Sequence, residues 1–112
     1  MERLNRLTRP ADFARVRESG RSCAGRLAVL ITLTNGLEHT RFGFAAGKRV
    51  GGAVQRNRAK RLLREAVRAN LARIQAGWDM VWIARAGLAG AALTETSIEV
   101  GTLLRRSRVL VD

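Results

Sequence analysis

Between Lys48 and Arg64 the chain carries seven Lys or Arg residues and no acid, and the same stretch repeats its apolar residues with the period of a helix. Ala59, Leu62, Leu63, Ala66 and Val67 follow i, i+3, i+4, i+7 spacing, with Asn70 on the same line. A helix is therefore expected from about Ala53 to about Leu71, with that face on a core. Asn57, Arg61, Arg64 and Arg68 then form a second stripe, with Arg56 and Lys60 beside it. Like charges at i, i+4 oppose a helix by roughly 0.2–0.5 kcal/mol per pair. Arg56/Lys60, Lys60/Arg64 and Arg64/Arg68 are such pairs, and only Arg61/Glu65 and Glu65/Arg68 offer relief. A face kept only for solubility mixes its signs. A face of one sign suits a polyanion, because each phosphate it neutralises releases a counterion.

The whole chain shares the bias: 21 basic residues against 9 acidic ones give +12 over 112 residues. Nucleic acid is the first partner such a charge implies, and an anionic membrane the second. Only Lys48 and Lys60 are Lys; the other cations are Arg, whose planar fork matches phosphate. The Arg to Lys ratio reflects genome composition as readily as function, whereas the net charge does not. The length suits one domain, 1–112, with a modest core. One cysteine, Cys23, allows no internal disulfide, and with one histidine, His39, no metal site is expected. No apolar run has the roughly 20 residues of a membrane span. The opening "MERLNRLTRP" lacks the apolar core of a signal peptide, so a cytoplasmic location is expected.

The remaining elements follow from pattern. "TRPADFARVRESG" reads as a short helix, with Pro10 in its first turn, Asp12 near its positive end and Gly20 as its stop. Leu27, Val29, Ile31 and Leu33 alternate in a strand from Arg26 to Thr34. Asn35-Gly36 is a hairpin signal, and "TRFGFAAG" is the expected returning strand, with Phe42 and Phe44 on one face. Gly47, Gly51 and Gly52 bracket a loop before the basic helix and let its N–H groups approach an anion. A strand is expected from Trp78 to Arg85, its two tryptophans in the core, and a last helix from Thr94 to Arg106. Thr96 and Glu99 have capping-box spacing there. The order α-β-β-α-β-α, with an extra short strand near Arg21 to Ala24, makes an α+β two-layer sandwich of a mixed sheet and helices.

Within the basic helix stands "RNRAKRLLRE", Arg56 to Glu65, preceded by Lys48-Arg49-Val50-Gly51 and Ala53-Val54. This run, with Asp12-Phe13 and Gly20 at their spacing upstream, resembles the signature of the protein subunit of bacterial ribonuclease P. The resemblance covers essentially the whole chain. It implies a ribosomal-protein-like domain with a left-handed β-α-β crossover, a handedness that periodicity does not supply. It also implies removal of the 5′ leader of precursor tRNA by hydrolysis of one phosphodiester. In that family the catalyst is a large RNA with bound Mg²⁺, and the protein binds that RNA and holds the leader. The chain would thus be a subunit of an endoribonuclease without catalytic residues of its own. Its partners would be ribonuclease P RNA and precursor tRNA, with no membrane and no obligate protein partner.

Carried over by motif, Arg56, Asn57, Arg58, Lys60, Arg61, Arg64 and Arg68 are the candidates for the catalytic RNA. Phe13, Arg17, Ile31, Lys48 and Arg49 are the candidates for the leader, in a cleft between the first helix and the sheet. Single strands bind by stacking bases on aromatic rings and phosphates on cations. Here the chain departs from its relatives: Arg17 stands where several carry a second aromatic, Ile31 where some carry Tyr, and Gly47 where Ser is common. Leader binding is then expected to lean on charge and shape. The acids Glu2, Asp12, Glu18, Glu38, Glu65, Asp79, Glu95, Glu99 and Asp112 are scattered, unlike the carboxylate cluster of a metal nuclease. His39 falls in a turn and reads as a surface residue; Cys23 lies among small and polar residues, and no redox or nucleophilic role is expected for it. A general RNA-binding module, such as a small ribosomal protein, explains the charge equally well but not the extended motif.

Overall fold

A computed structural model describes residues 5–111; Glu2 and Asp112, two of the scattered acids, lie outside the described residues. The order is α1 (Pro10–Ser19), β1 (Arg21–Ala24), β2 (Ala28–Thr34), β3 (Arg41–Ala46), α2 (Ala53–Arg68), β4 (Trp78–Ala84) and α3 (Leu93–Arg106). Short 3-10 turns occupy Lys48–Val50, Leu71–Arg73 and Leu88–Gly90. The sheet runs β1-β2-β4-β3, with β1, β2 and β4 successively antiparallel and β3 parallel to β4. The adjacent parallel pair joined through a helix is β3-α2-β4.

This order corrects the expected hairpin. Strands β2 and β3 are not neighbours, because β4 lies between them. Asn35-Gly36 does turn the chain, with Gly36 at φ +69°. However, the Asn35 side chain binds the start of β4: its Nδ2 donates to the Trp78 carbonyl at 3.0 Å and to Asp79 Oδ1 at 2.9 Å. Its Oδ1 accepts from Leu37 N–H at 2.7 Å, which shapes a wider connection to β3. A local dipeptide signal has lost to a long-range pairing.

One face of the sheet packs on α2 and α3. There Leu30, Phe42, Met80 and Trp82 meet Leu63, Val67, Val100 and Leu104, with Phe44 and Trp78 partly buried against them. Trp82 is wholly enclosed, as the core reading of the tryptophans requires. The hydrophobic side of α2 also settles its charge repulsion. Three like pairs cost about 0.6–1.5 kcal/mol together, no more than burial of Leu63 alone, worth about 1.5–3 kcal/mol.

The other face carries α1, so a helix lies outside the two-layer core. Val16 packs on Ile31 and Val81, with Phe13, Val29, Leu33 and Ile83 around them. Pro10 opens α1, and the Gly20 N–H closes it on the Val16 carbonyl at 2.7 Å. Gly20 has extended backbone, and close approach is what demands it: a methyl there would lie within 2.7 Å of Ile31 Cγ2.

At the last helix the expected capping box is displaced. Ala92 is the N-cap, and its N–H donates to Glu95 Oε1 at 3.2 Å. Thr96 instead donates to the Ala92 carbonyl, and Glu99 leaves the helix to accept from Leu27 N–H and from Ala28 N–H at 2.9 Å. Glu99 thereby ties α3 to the start of β2.

Asp79 is the one fully buried acid among the described residues. Arg41 grips it with Nε at 2.8 Å and Nη2 at 2.7 Å, Asn35 donates to it, and Arg15 Nη2 reaches it from α1. Asp12 lies 3.7 Å from Arg15 and 3.8 Å from Arg41. Burial alone would push the Asp79 carboxyl up, but the hydrogen bonds from Arg41, Asn35 and Arg15 outweigh it and hold the pKa low. A carboxylate held low adds stability above its unfolded pKa of about 3.9, and that stability is lost as pH falls through the folded value. Arg15 and Arg41 are partly solvated, which discounts the full buried-pair figure. Urea unfolding of Asp79→Asn should therefore show a loss of about 2–4 kcal/mol at pH 7 and a shallower decline below about pH 4 than the parent. Equal stability at pH 7 would contradict the clamp.

Candidate nucleic-acid interface

The first surface is α2. Its start follows Gly51, whose φ of +139° suits glycine, and Gly52, an N-cap with no side chain to offer. The first-turn N–H groups thus meet no side-chain acceptor, and no acid stands in that turn. Asn57, Arg58 and Arg61 are exposed, while Arg56, Lys60, Arg64 and Arg68 are half-buried along the helix. At 100° per residue, Asn57, Arg61, Arg64 and Arg68 share one line, as the sequence pattern suggested. Their roles differ. Arg68 pairs with Glu65 at 3.0 Å, and Arg58 spends its Nε on the Ala89 carbonyl at 2.7 Å. Arg64 lies 5.7 Å from the centre of the Phe44 ring. Partial burial, with Arg6, Arg68 and Arg61 nearby, lowers the Arg64 pKa from the ordinary guanidinium value. A phosphate placed here would relieve that crowding.

The second surface is the sheet face beside α1. On this face the ladder sets Ala45 opposite Ile83 and Ile83 opposite Val29. Those three side chains are only half-buried, whereas the next row, Gly43, Val81 and Ile31, lies beneath α1. The result is an open apolar strip with the helix as its wall. Phe13 stands at the β3 end of that wall: a methyl on Gly43 would lie 2.6 Å from its Cζ, so only glycine lets the ring rest on the strand. By helical spacing, Arg17 lies on the flank away from Asp12 and Arg15, towards the strip. Lys48 and Arg49 are exposed just beyond the end of β3.

Ile31 behaves differently from the other leader candidates. It is 8% exposed and packs under Val16, beneath α1. Half-buried Val29 and Ile83 are the open aliphatic positions instead. Sequence pattern missed Arg85, which is exposed directly after β4, shares the alternation of Val81 and Ile83, and holds the Gly25 carbonyl at 2.9 Å. Its parity was readable, but a strand buried on both sides gave no sign of which face was open.

Most of the carboxylates among the described residues already have partners. Asp12 and Asp79 face Arg15 and Arg41, Glu65 faces Arg68, and Glu95 and Glu99 accept backbone N–H groups. No group of three potential ligands gathers among the described residues. His39 is exposed in the turn before β3 and Cys23 half-buried in β1. Among the described residues, no helix is long and apolar enough to cross a membrane.

Comparison with known proteins gives this geometry its relatives. The sequence model of the Ribonuclease P family matches residues 1–108. The Ribonuclease P protein component of Dehalococcoides mccartyi strain 195 is 46% identical over 110 residues, covering 98% of this chain and 90% of that protein. That of Chloroflexus aurantiacus strain J-10-fl is 42% identical, with 98% and 82% covered. Among solved structures, the Staphylococcus aureus RNase P protein superposes with a TM-score of 0.86 at 29% identity, over 97% of this chain and all of that one. The Thermotoga maritima RNase P protein, solved with 1-(4-fluorophenyl)-2-thiourea, gives 0.82 at 30% identity, over 90% and 98%. A helix with no acid before Glu65, an open strip beside α1 and full-length kinship agree: the chain belongs to the Ribonuclease P protein component family.

Proposed function

We propose that the chain divides the work of that family's protein between its two surfaces, α2 for the catalytic RNA and the strip beside α1 for the leader of precursor tRNA. The observation that carries the reading is their separation by the sheet: α2 packs on one face and α1 on the other. Arg56, Asn57, Arg58, Lys60, Arg61, Arg64 and Arg68 meet phosphates of the catalytic RNA. Phe13, Arg17, Lys48 and Arg49 hold the leader over Val29, Ile83 and Ala45, with Ile31 as the support beneath α1. The strip offers one half-buried aromatic, so affinity there comes chiefly from cations along a shaped apolar floor.

Hydrolysis of the phosphodiester belongs to the RNA. Mg²⁺ is held by RNA phosphates in this reading, which is supported by the carboxylates among the described residues: they are engaged with Arg and backbone N–H groups or stand apart, as Glu18 on α1 and Glu38 in the turn do. The protein supplies countercharge and position, in the cytoplasm where precursor tRNA is made. Positioning lowers the barrier by pre-ordering the reactants, and countercharge reduces the number of cations the RNA needs.

The test is cleavage of precursor tRNA by a bacterial ribonuclease P RNA at low Mg²⁺, with and without the protein. Stimulation is expected, and no accurate cleavage by the protein alone. No effect with a matched RNA would favour a general RNA-binding module; accurate processing by the protein alone would overturn the division of roles.

Paired variants separate the surfaces. Arg58→Ala with Arg61→Ala should weaken assembly with the catalytic RNA and reduce its log–log salt slope by about 1.4–1.8. Phe13→Ala should weaken precursor tRNA more than mature tRNA, read by equilibrium binding to the assembled enzyme. Equal loss for both tRNAs would count against a leader cleft.

A further inference from the structure

The open strip does not end at β2. Ala24 of β1 lies opposite Val29, so the row Ala45, Ile83, Val29, Ala24 crosses all four strands. That crossing is about 14 Å wide. At its far side, around the outer edge of β1, is a groove of ≈ 340 Å³ lined by Arg21, Ser22, Cys23, Ala24, Arg106 and Ser107. Ser22 and Ala24 thus belong both to the open sheet face and to the groove.

The groove gathers positive charge and hydrogen-bonding groups. Arg21 and Arg106 are exposed and neither pairs with an acid among the described residues. Arg106 is not needed to close α3. The N–H groups of Ser107 and Arg108 already bind the carbonyls of Leu103 and Arg105, at 2.9 and 3.1 Å. Its Nη1 instead leans across the groove to the Ala24 carbonyl, at 3.4 Å. Gly25 N–H bonds to Ala28 on β2 at 2.8 Å, so by antiparallel alternation Ser22 and Ala24 turn their backbone groups outward to the groove. Ser107 Oγ is shielded from solvent and has no protein partner. Arg105 and Arg108 add exposed positive charge on either side in the chain.

We propose that this groove is a second leader subsite, where phosphates beyond the strip settle between Arg21 and Arg106. The proposal rests on the strip being the leader cleft. Direction follows from placement. Helix α2 packs beside β3, and the RNA it binds cuts where leader joins tRNA. The junction therefore lies on the β3 side, and the free 5′ end leaves over β1.

The assembled enzyme is titrated with mature tRNA and with precursors bearing leaders of about two and about ten nucleotides. Arg21→Gln with Arg106→Gln weakens the long-leader substrate about tenfold and lowers its salt slope by about 1.4. The same pair leaves the short-leader substrate, mature tRNA and assembly with the catalytic RNA unchanged. Equal weakening of all substrates, loss confined to assembly with the catalytic RNA, or no change anywhere overturns the proposal. Phe13→Ala in the same titration tells the two readings apart. If it leaves the preference for precursor intact, the strip reading fails and the groove falls with it. If it lowers that preference while the Arg pair has no effect, the groove alone fails.

Discussion

A buried carboxylate, Asp79, fixes where α1 lies, and the position of α1 decides which part of the sheet stays open. Arg15 comes to Asp79 from α1, Arg41 from β3 and Asn35 from the connection after β2. Three elements distant in sequence thus meet on one side chain of β4. A buried charge without partners costs far more than one that is paired and hydrogen-bonded, so the carboxylate can be buried only when all three elements are in place. The cluster sits at the start of β3 and β4, and α1 is accordingly drawn over that half of the sheet. The half carrying Ala45, Ile83 and Val29 is left as a floor.

The same logic explains how a chain of +12 folds at all. Two of its acids join elements, Asp79 to α1 and Glu99 to the start of β2, and Glu65 eases the charge of Arg68 within α2. The cations left over gather on surfaces without countercharge, α2 foremost among them. Apolar burial along the inner side of α2 outweighs the repulsion along its outer side. The protein holds charge in a fixed arrangement before RNA arrives, so less conformational freedom is lost on binding than a flexible basic tail would lose.

Much of this was legible in the sequence. The 3.6-residue pattern from Ala59 to Val67 located α2 and its inner face, and the acid-free run marked its outer one. Pro10 and Gly20 bounded α1, and the short strand near Arg21 appeared as β1. Three things were not legible, for one shared reason. The insertion of β4 between β2 and β3, the partners of Asp79 and the burial of Ile31 all depend on which segments meet across long sequence separations. Asn35-Gly36 looks like a hairpin turn locally, and only the bonds of Asn35 to Trp78 and Asp79 make it something else. Thr96 and Glu99 have the spacing of a cap, yet Glu99 is drawn to the bare N–H groups before β2, which no local pattern could announce.

Because nearly every cation is Arg, arginine-specific chemical modification read peptide by peptide tests the two-surface account most directly. The protein is probed free, bound to the catalytic RNA, and in the assembled enzyme with mature or leader-bearing tRNA. The account predicts that Arg58 and Arg61 become protected as soon as the catalytic RNA binds and do not respond to the leader. It predicts that Arg17 and Arg49 become protected only when a leader is present. Protection of all four by the catalytic RNA alone, or of Arg17 and Arg49 by mature tRNA as fully as by precursor, would contradict it.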